Sequence, residues 1–391
     1  MKQLLNGNEA AALAAKLARV QVISAYPITP QTVVVETLAK YVADGELEAE
    51  FVKVESEHSA LSVCLGASAT GARAFTATSS QGLMLMSEIL YVVSGMRLPV
   101  VMANANRSLS APLSIWNDQQ DSLSVRDCGW IQLYCENNQE ILDLLLLAFR
   151  LAESLSLPAM VCYDGYILSH TSEPVEVPSQ EEVDAFLPPY SPSLRLDPDR
   201  PLTMGPVGVP EVYLEARYMQ HRALRGAKEG FLRVAEEFGR RFGRRYGILE
   251  EYRTEGAEVL LLTMGSLAGT AKEAVDRCRE RGERVGLVRL LLYRPFPGEE
   301  LVRALSGARV VAVLEKDIST GWMGALYTDT VAAFANEARR PLFLNFILGL
   351  GSRDVRVEDL EEVVRTARRE GEEGRVRENP RWVGVRKEVV E

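Results

Sequence analysis

Residues 20–30 read Val-Gln-Val-Ile-Ser-Ala-Tyr-Pro-Ile-Thr-Pro, a short apolar run that leads into a turn and a helix start. The first six residues have the length and the β-branched content of a buried strand. Pro30 suits the first position of a helix, and Thr29 before it suits an N-cap. The stretch therefore predicts a strand, a polar loop at its carboxyl end, and a helix that covers the sheet.

The same alternation of apolar runs and amphipathic stretches continues to residue 170. Strands are predicted at 20–25, 51–54, 72–77, 98–103, 131–134 and 158–163, and helices at 30–42, 57–69, 82–93 and 138–154. Strands that are apolar on both sides are typical of parallel sheets with helices on both faces. We therefore predict an α/β fold whose first domain spans residues 1–170.

The rest of the chain divides into three further parts. Residues 171–255 are predicted to be a Pro-rich connector and a helix: nine of the 18 prolines lie between Pro174 and Pro210, which predicts an extended segment there without regular structure, and one helix follows at 211–244. A second α/β domain is predicted at 256–368, with strands at 258–263, 285–291, 310–314 and 341–346. The charged tail, 369–391, is predicted to be a loosely ordered arm.

Bulk composition excludes several classes of function. A net charge of −10 argues against nucleic acid as the main partner, because phosphate binding needs a basic face. The chain has no uninterrupted apolar run long enough to span a membrane and no signal-peptide pattern, so we expect a cytoplasmic protein. The five cysteines form no C-x-x-C pair, which predicts buried thiols and no iron–sulfur cluster on this chain.

Polar loops follow the first two predicted strands at the edge where parallel sheets bind ligands. Thr29 offers a hydroxyl beside a positive helix end, although an N-cap role explains it equally. The next loop carries Glu55 and Glu57 at the mouth of an apolar helix, where a carboxylate is costly without a partner or a function. A helix cap at Ser56 is the alternative, and the pattern does not separate the two glutamates.

Two more polar loops follow at the same edge. Residues 76–82 are small and hydroxylated and end in glycine, which favours a close-packing loop; a phosphate cradle is the alternative, but it lacks the lysine of a P-loop. Arg107 ends the next strand and is the only basic residue near these loops, and arginine binds carboxylates in bidentate fashion. An ion pair with Asp118, Asp121 or Glu57 is the alternative for Arg107.

With these loops in view, the chain resembles the α subunit of the 2-oxoacid:ferredoxin oxidoreductases, especially the pyruvate branch. The strings that carry the resemblance run in order along nearly the whole chain. They are 26–31 (YPITPQ), 54–60 (VESEHSA), 76–79 (TATS), 106–107 (NR), 114–118 (SIWND), 129–133 (GWIQL), 164–170 (DGYILSH), 294–297 (RPFP) and 349–354 (GLGSRD). The resemblance implies a pyrimidine-binding thiamine diphosphate domain followed by a transketolase C-terminal-like domain.

The resemblance also implies roles for single residues. Glu57 matches the residue that hydrogen-bonds N1′ of the aminopyrimidine and favours its imino tautomer, and Pro27 is assigned to the cofactor with it. Thr29 and Arg107 match the positions that hold the keto-carboxylate end of the substrate. Ile115 matches an apolar wall near the substrate methyl group. The oxalate-oxidising branch carries arginine at the position of Thr29, which argues against oxalate.

Two features of the family are missing from this chain: the G-D-G…N string for Mg²⁺ and the diphosphate, and the cluster cysteines. The resemblance then implies that a β subunit supplies the Mg²⁺–diphosphate site, so that thiamine diphosphate binds across an interface. Cluster-bearing and gamma-type subunits would carry the [4Fe-4S] clusters, ferredoxin would accept the electrons, and coenzyme A would be the co-substrate. The chain alone is expected to be inactive.

The expected reaction is the reversible oxidative decarboxylation of pyruvate to acetyl-CoA and CO2, with ferredoxin as the electron acceptor. The same chemistry on 2-oxoisovalerate or 2-oxoglutarate is an alternative, because a methylene in an apolar pocket is worth only about 1–3 kcal/mol. A non-catalytic scaffold subunit is another. A nucleotide-binding α/β protein is disfavoured, because no G-x-G-x-x-G follows the first strand.

Overall fold

The structure is a computed structural model that describes residues 1–390. Its strands are β1 (Lys2–Leu5), β2 (Val22–Ser24), β3 (Glu50–Val52), β4 (Ala74–Thr78), β5 (Val101–Asn106), β6 (Ile131–Tyr134), β7 (Ala159–Asp164), β8 (Glu173–Glu176), β9 (Leu249–Tyr252), β10 (Val259–Met264), β11 (Val285–Leu290), β12 (Leu292–Arg294), β13 (Val310–Glu315), β14 (Leu342–Ile347) and β15 (Arg381–Trp382). Its helices are α1 (Gly7–Leu17), α2 (Thr32–Ala43), α3 (Glu57–Ala69), α4 (Ser80–Leu85), α5 (Ser87–Gly95), α6 (Gln120–Ser124), α7 (Asn138–Leu155), α8 (Gln180–Phe186), α9 (Pro210–Arg225), α10 (Ala227–Phe242), α11 (Leu267–Glu280), α12 (Gly298–Leu305), α13 (Ala325–Ala333), α14 (Val357–Glu373) and α15 (Lys387–Val390).

The first large sheet has seven strands in the order β12-β6-β7-β5-β4-β2-β3. All pairs within it are parallel except β12–β6. Every residue of β4, β5 and β7 is buried, because helices cover both faces of the sheet. The predicted α/β fold class with a parallel sheet is confirmed.

The second large sheet has six strands in the order β15-β14-β13-β10-β11-β9. Its pairs are parallel except β9–β11, and α11 and α14 pack together on one face over the apolar cluster. Strand β9 of this sheet and strand β12 of the first sheet were not predicted. Residues 249–252 (LEEY) are too polar to predict a strand, and β12 follows β11 after one residue in a continuous apolar run.

Two predictions for the middle of the chain are wrong. The Pro-rich segment is not free of regular structure: β8 pairs with β1, and α8 begins at a capping box formed by Ser179 and Glu182. Prolines are tolerated there because they lie at an edge strand and just before a helix cap. The helix predicted at 211–244 is two helices, α9 and α10, that meet at Gly226.

The prediction of a loosely ordered tail is also wrong over much of its length. Helix α14 continues to Glu373, and β15 adds a parallel strand to β14 with Phe346 opposite Arg381. Arg381 forms an ion pair with the buried carboxylate of Glu370. The charges of the tail thus serve ion pairs that hold it on the second sheet. The domain limits at 170, 255 and 368 stay predictions.

A buried ion pair joins the two large sheets. Lys316, which follows β13, places its Nζ atom 3.0 Å from Asp164 Oδ2 at the end of β7 and 3.0 Å from Asn117 Oδ1. Ser266, after β10, donates its backbone N–H to the same carboxylate at 3.2 Å. Burial alone would raise the pKa of Asp164, but the Lys316 charge and these hydrogen bonds hold that pKa below its usual value.

Across residues 1–390, no helix is both long and apolar enough to cross a lipid bilayer.

Replacing Lys316 by Met should destabilise the protein strongly, because it leaves Asp164 charged and buried without its cation. Breaking one partner of a buried pair costs about 3–5 kcal/mol. Thermal unfolding of the variant measures the loss. Lys2→Met is the matched control, since the Lys2–Glu176 pair has 72% of the lysine side chain exposed, and it should change the midpoint little. Equal midpoints for the two variants would contradict the role of Lys316.

Candidate active site

The loops that follow β2, β3, β4 and β5 converge at the carboxyl edge of the first sheet. Arg107 Nη1 donates to the carbonyl of Thr29 at 2.9 Å, which joins the fourth loop to the first. Gly82 of α4 lies directly against the carboxylate of Glu57, which joins the third loop to the second. The carboxylate of Asp121 joins the third and fourth loops. The four polar loops singled out in the sequence therefore form one site.

The loop after β2 does not form the predicted helix cap. Helix α2 begins at Thr32, two residues later than predicted, so neither Thr29 nor Pro30 has the expected N-terminal role. The side-chain amide of Gln31 instead donates to Ala77 O at 2.6 Å, and this bond holds the loop against the end of β4. Thr29 remains exposed at the edge of the sheet, and its peptide bond to Pro30 is cis.

The structure separates the two glutamates that the sequence could not. Glu55 is exposed and accepts a hydrogen bond from the hydroxyl of Ser59 at 2.6 Å. Glu57 is the first residue of α3 after the N-cap Ser56, and it is only 7% exposed. Among the described residues, no hydrogen bond or ion pair ends on the Glu57 carboxylate. It is a buried acceptor available to a ligand.

Gly82 makes room for this carboxylate. A Cβ atom at residue 82 would lie 2.7 Å from Glu57 Oε1 and 2.6 Å from Thr78 Oγ1, closer than real Cβ contacts allow. The Thr78 hydroxyl is itself buried and has no hydrogen-bond partner among the described residues. Buried polar groups normally have partners. The Glu57 carboxylate beside this glycine has no partner and can accept a hydrogen bond from a small polar ring.

Arg107 is a buried cation without a carboxylate partner. Its Nε atom donates to Ser114 O at 2.8 Å and its Nη1 atom to Thr29 O, while Nη2 forms no hydrogen bond within residues 1–390. The side chain is in none of the ion pairs formed by the described residues, so the predicted alternative of an ion pair is wrong. Burial lowers the pKa of the guanidinium, and the nearby Asp121 charge acts in the opposite direction. Such a group favours a bound anion.

Asp121 is the organising residue that the sequence analysis missed. Its carboxylate is fully buried and accepts five N–H bonds at 2.7–3.3 Å, from the backbone of Ser80, Arg107 and Ser122 and from the side chains of Asn104 and Asn106. Burial raises the pKa of Asp121 to about 6, although the hydrogen bonds oppose that shift. The sequence indicated only an acidic residue near Arg107.

The two remaining predicted residues lie on the rim of the site. Pro27 is exposed, and Ile115 is 37% exposed in the loop between β5 and α6. In this loop, Trp116 packs on the ring of Tyr166 with centroids 4.5 Å apart. The second unit also holds the loop, because Ser352 N donates to Asn117 O at 2.7 Å.

Within residues 1–390, no group of three His, Cys, Asp or Glu side chains is placed to hold a metal ion. The five cysteines are all buried and free, and burial raises the pKa of the Cys64 thiol to about 12. The carboxyl edge of the first sheet offers the buried carboxylate of Glu57, the hydroxyl of Thr29 and the guanidinium of Arg107. This set can hydrogen-bond a polar ring and bind a carboxylate.

Two family models match most of the chain. Residues 13–236 match the thiamine diphosphate-binding domain of pyruvate flavodoxin/ferredoxin oxidoreductases. Residues 257–360 match core domain II of pyruvate:ferredoxin oxidoreductase. The first match contains all four loops of the site, and the second contains β13 and Lys316.

Several relatives match this chain along nearly their whole length. Pyruvate synthase subunit PorA of Pyrococcus abyssi is 53% identical over 393 residues, covering 100% of both chains. The subunit of the same name from Methanothermobacter thermautotrophicus is 51% identical and covers 99% of both chains. Ketoisovalerate oxidoreductase subunit VorA of Pyrococcus abyssi is 45% identical, covering 99% of this chain and 98% of its own.

Solved structures are similar in fold. A 2-oxoglutarate:ferredoxin oxidoreductase from Magnetococcus marinus, with 2-oxoglutarate, coenzyme A and succinyl-CoA bound, superposes with a TM-score of 0.69 at 22% identity, over 94% of this chain and 65% of that one. A split-gene transketolase superposes with a TM-score of 0.54 at 14% identity, over 93% and 98%. At these identities the likeness concerns the fold alone.

Replacing Gly82 by Ala should force the Glu57 and Thr78 side chains apart and destabilise the protein by about 1–3 kcal/mol, the usual cost of overpacking. Gly66→Ala is the matched control: Gly66 is exposed in α3 and an added Cβ meets nothing within 4 Å. That control should stabilise by about 0.5–1 kcal/mol. Chemical unfolding of both variants measures the difference. A Gly82→Ala protein as stable as Gly66→Ala would show that the close contact has no consequence.

Proposed function

Because the chain belongs to the α-subunit family of the 2-oxoacid:ferredoxin oxidoreductases, we propose that it is the subunit of a pyruvate:ferredoxin oxidoreductase that binds the aminopyrimidine of thiamine diphosphate and the substrate carboxylate. The enzyme oxidatively decarboxylates pyruvate to acetyl-CoA and CO2, reversibly, with ferredoxin as the electron acceptor. The family predicted from the sequence is confirmed. Relatives named for pyruvate are more similar to this chain than those named for ketoisovalerate, which supports pyruvate as the substrate.

The observation that carries this proposal is that Glu57 and Arg107 lie at the same edge of the sheet and that neither has an ion-pair partner. The first is a buried carboxylate without a partner, and the second is a buried cation bonded only to carbonyls. Both arrangements are costly unless a ligand completes them. A cofactor with a basic ring nitrogen completes the first, and an anionic 2-oxoacid completes the second.

The residues around Glu57 fit the pyrimidine end of the cofactor. When bound, thiamine diphosphate supplies a nucleophilic carbon that adds to the keto group of a 2-oxoacid. Glu57 would accept a hydrogen bond from the ring nitrogen N1′ and hold a proton at that atom, which would favour the imino form of the aminopyrimidine. Gly82 has no Cβ atom, so the Glu57 carboxylate lies close against α4, beside the buried Thr78 hydroxyl. Pro27 contributes an exposed apolar surface on the same loop cluster.

We assign Arg107, Thr29 and Ile115 to the substrate. Arg107 offers its unused Nη2 to the carboxylate of the 2-oxoacid, and the exposed Thr29 hydroxyl offers a further hydrogen bond to the same end. Ile115 supplies the apolar wall near the methyl group. Because Ile115 lies on a loop held by Asn117 and by the second unit, small changes there select between pyruvate and a branched acid.

Other chains complete the enzyme. The related proteins are named as subunits, and this chain offers no metal-binding cluster within residues 1–390. We therefore place the Mg²⁺–diphosphate site on a β subunit and the [4Fe-4S] clusters on cluster-bearing and gamma-type subunits, with coenzyme A as the co-substrate. A cytoplasmic location remains our prediction. The scaffold alternative is disfavoured, because a scaffold has no need for an unpartnered buried carboxylate.

Changing Glu57 to Gln in the assembled complex should reduce pyruvate-driven viologen reduction by about 100-fold or more, because the neutral amide no longer favours the imino form. Exchange of the thiazolium C2 proton with deuterium should slow by a similar factor. Glu55→Gln is the matched control: Glu55 is exposed and should tolerate the change. Near-normal activity in Glu57→Gln, or equal losses in both variants, would refute the role of Glu57.

Asp121 generates a pH dependence of substrate binding. Its pKa of about 6 means that it binds a proton as the pH falls from 7 to 5, and one oxygen that accepted N–H bonds then becomes a donor. The Arg107 loop should loosen, so the KM for pyruvate should rise on the acid side of pH 6.

In Asp121→Asn the KM should be raised about tenfold at every pH, as expected for about 1–3 kcal/mol of lost hydrogen bonding, and the step near pH 6 should disappear. Steady-state kinetics between pH 5 and 8 measure both effects. Asp44→Asn, at an exposed position, should keep the step. Persistence of the step in Asp121→Asn would assign it to another group.

A further inference from the structure

A basic cavity of about 590 Å³ lies on the first unit away from the proposed active site. It is lined by residues from three separate segments: Arg126 and Asp127 before β6; Arg217, His221 and Arg225 on α9; and Arg294 at the end of β12 with Phe296 after it. Its floor contains Gly129, at the amino end of β6. Glu57 and Arg107 instead follow strands at the carboxyl edge, so the two sites occupy opposite edges of the sheet.

Three arginines of the basic cavity have no carboxylate partner. Within residues 1–390, Arg126, Arg217 and Arg225 take part in no ion pair. Arg294 is paired with Asp329 at 2.8 Å and lies 3.7 Å from Asp127, whose side chain is 74% exposed. Like charges that converge in a concave site repel one another unless an anion neutralises them. In a protein of net charge −10 this concentration of unpaired cations indicates an anionic ligand.

Hydrogen bonds to neighbouring residues orient Arg217 in the basic cavity. Arg217 Nε donates to Tyr213 OH at 3.0 Å, and its Nη1 donates to Gln220 Oε1 at 2.8 Å. Gln220 is in turn anchored to Ser94 Oγ at 3.0 Å. This chain of bonds fixes the guanidinium while leaving Nη2 unused.

The opposite wall of the basic cavity is fixed in a similar way. Arg126 Nη1 donates to Leu123 O at 3.1 Å, and Arg294 Nε donates to Arg126 O at 3.2 Å. The guanidinium groups of Arg126, Arg217 and Arg294 are therefore oriented by hydrogen bonds before any ligand binds, which reduces the entropic cost of binding.

The size and composition of the basic cavity narrow the ligand class. Arginine forks match phosphate oxygens in geometry and charge. A volume of about 590 Å³ lies within the range of small-molecule sites and exceeds what an isolated phosphate needs. Leu224 and the half-buried ring of Phe296 add an apolar surface beside the arginines. This combination suits a planar base joined to phosphate groups.

We propose that the basic cavity binds a nucleoside phosphate, with Arg126, Arg217 and Arg225 on the phosphate groups and with Leu224 and Phe296 against the base. This inference goes beyond the proposed function and does not depend on it. The strings 129–133 and 294–297, which the proposed active site leaves unexplained, supply the floor and one wall of this cavity.

Isothermal titration of the native complex with ADP, inorganic diphosphate and adenosine tests the proposal without turnover, so the result is independent of which 2-oxoacid is oxidised. ADP should bind more tightly than diphosphate, and adenosine should bind least. Arg217→Gln combined with Arg225→Gln should weaken ADP binding about tenfold or more, because charge-assisted hydrogen bonds are lost. Arg222→Gln is the matched control, since Arg222 lies on α9 outside the cavity and should leave binding unchanged.

Arg126→Gln, on a different segment, should also weaken ADP binding. This variant distinguishes the loss of a phosphate contact from a local structural change in α9. Absence of ADP binding, equal affinity for ADP and diphosphate, or an Arg222→Gln loss as large as that of the double variant would overturn the proposal. A thermal melt of each variant establishes that it is folded before titration.

Discussion

The site depends on one buried carboxylate, that of Asp121, and on the five N–H groups that donate hydrogen bonds to it. A charge without water is stable only when its hydrogen bonds are complete, so each donor is held in place by the cost of losing it. Two of the donors are the backbone of Ser80, at the start of α4, and that of Arg107. The same carboxylate therefore sets the position of Gly82 against Glu57 and the position of Arg107.

The second unit completes this arrangement from the other side. Lys316 neutralises Asp164 and also donates to Asn117, so a residue of the second sheet holds both the end of β7 and the loop that carries Ile115. Ser352 and Asn117 exchange hydrogen bonds in the same region. The position of the loop that carries Ile115 is thus a property of both units together.

The sequence was sufficient for features that depend on local pattern. Strands apolar on both sides predicted the parallel sheet, and polar residues after each strand predicted the edge where Thr29, Glu57 and Arg107 meet. The missed features depend on distant partners. β12 becomes a strand only because β6 offers an edge, and the tail is ordered because Glu370 pairs with Arg381. The choice between Glu55 and Glu57 rested on a family resemblance, and burial then distinguished them. The helix start at Thr32 follows from the bond between Gln31 and Ala77, which no local rule contains.

The measurement that tests the account most directly is anaerobic viologen reduction by the native complex with pyruvate, 2-oxoisovalerate and 2-oxoglutarate, each with and without coenzyme A. The account predicts the highest kcat/KM for pyruvate and a strict dependence on coenzyme A. No reduction with any of the three acids, in a complex shown to contain thiamine diphosphate and iron–sulfur clusters, would contradict it.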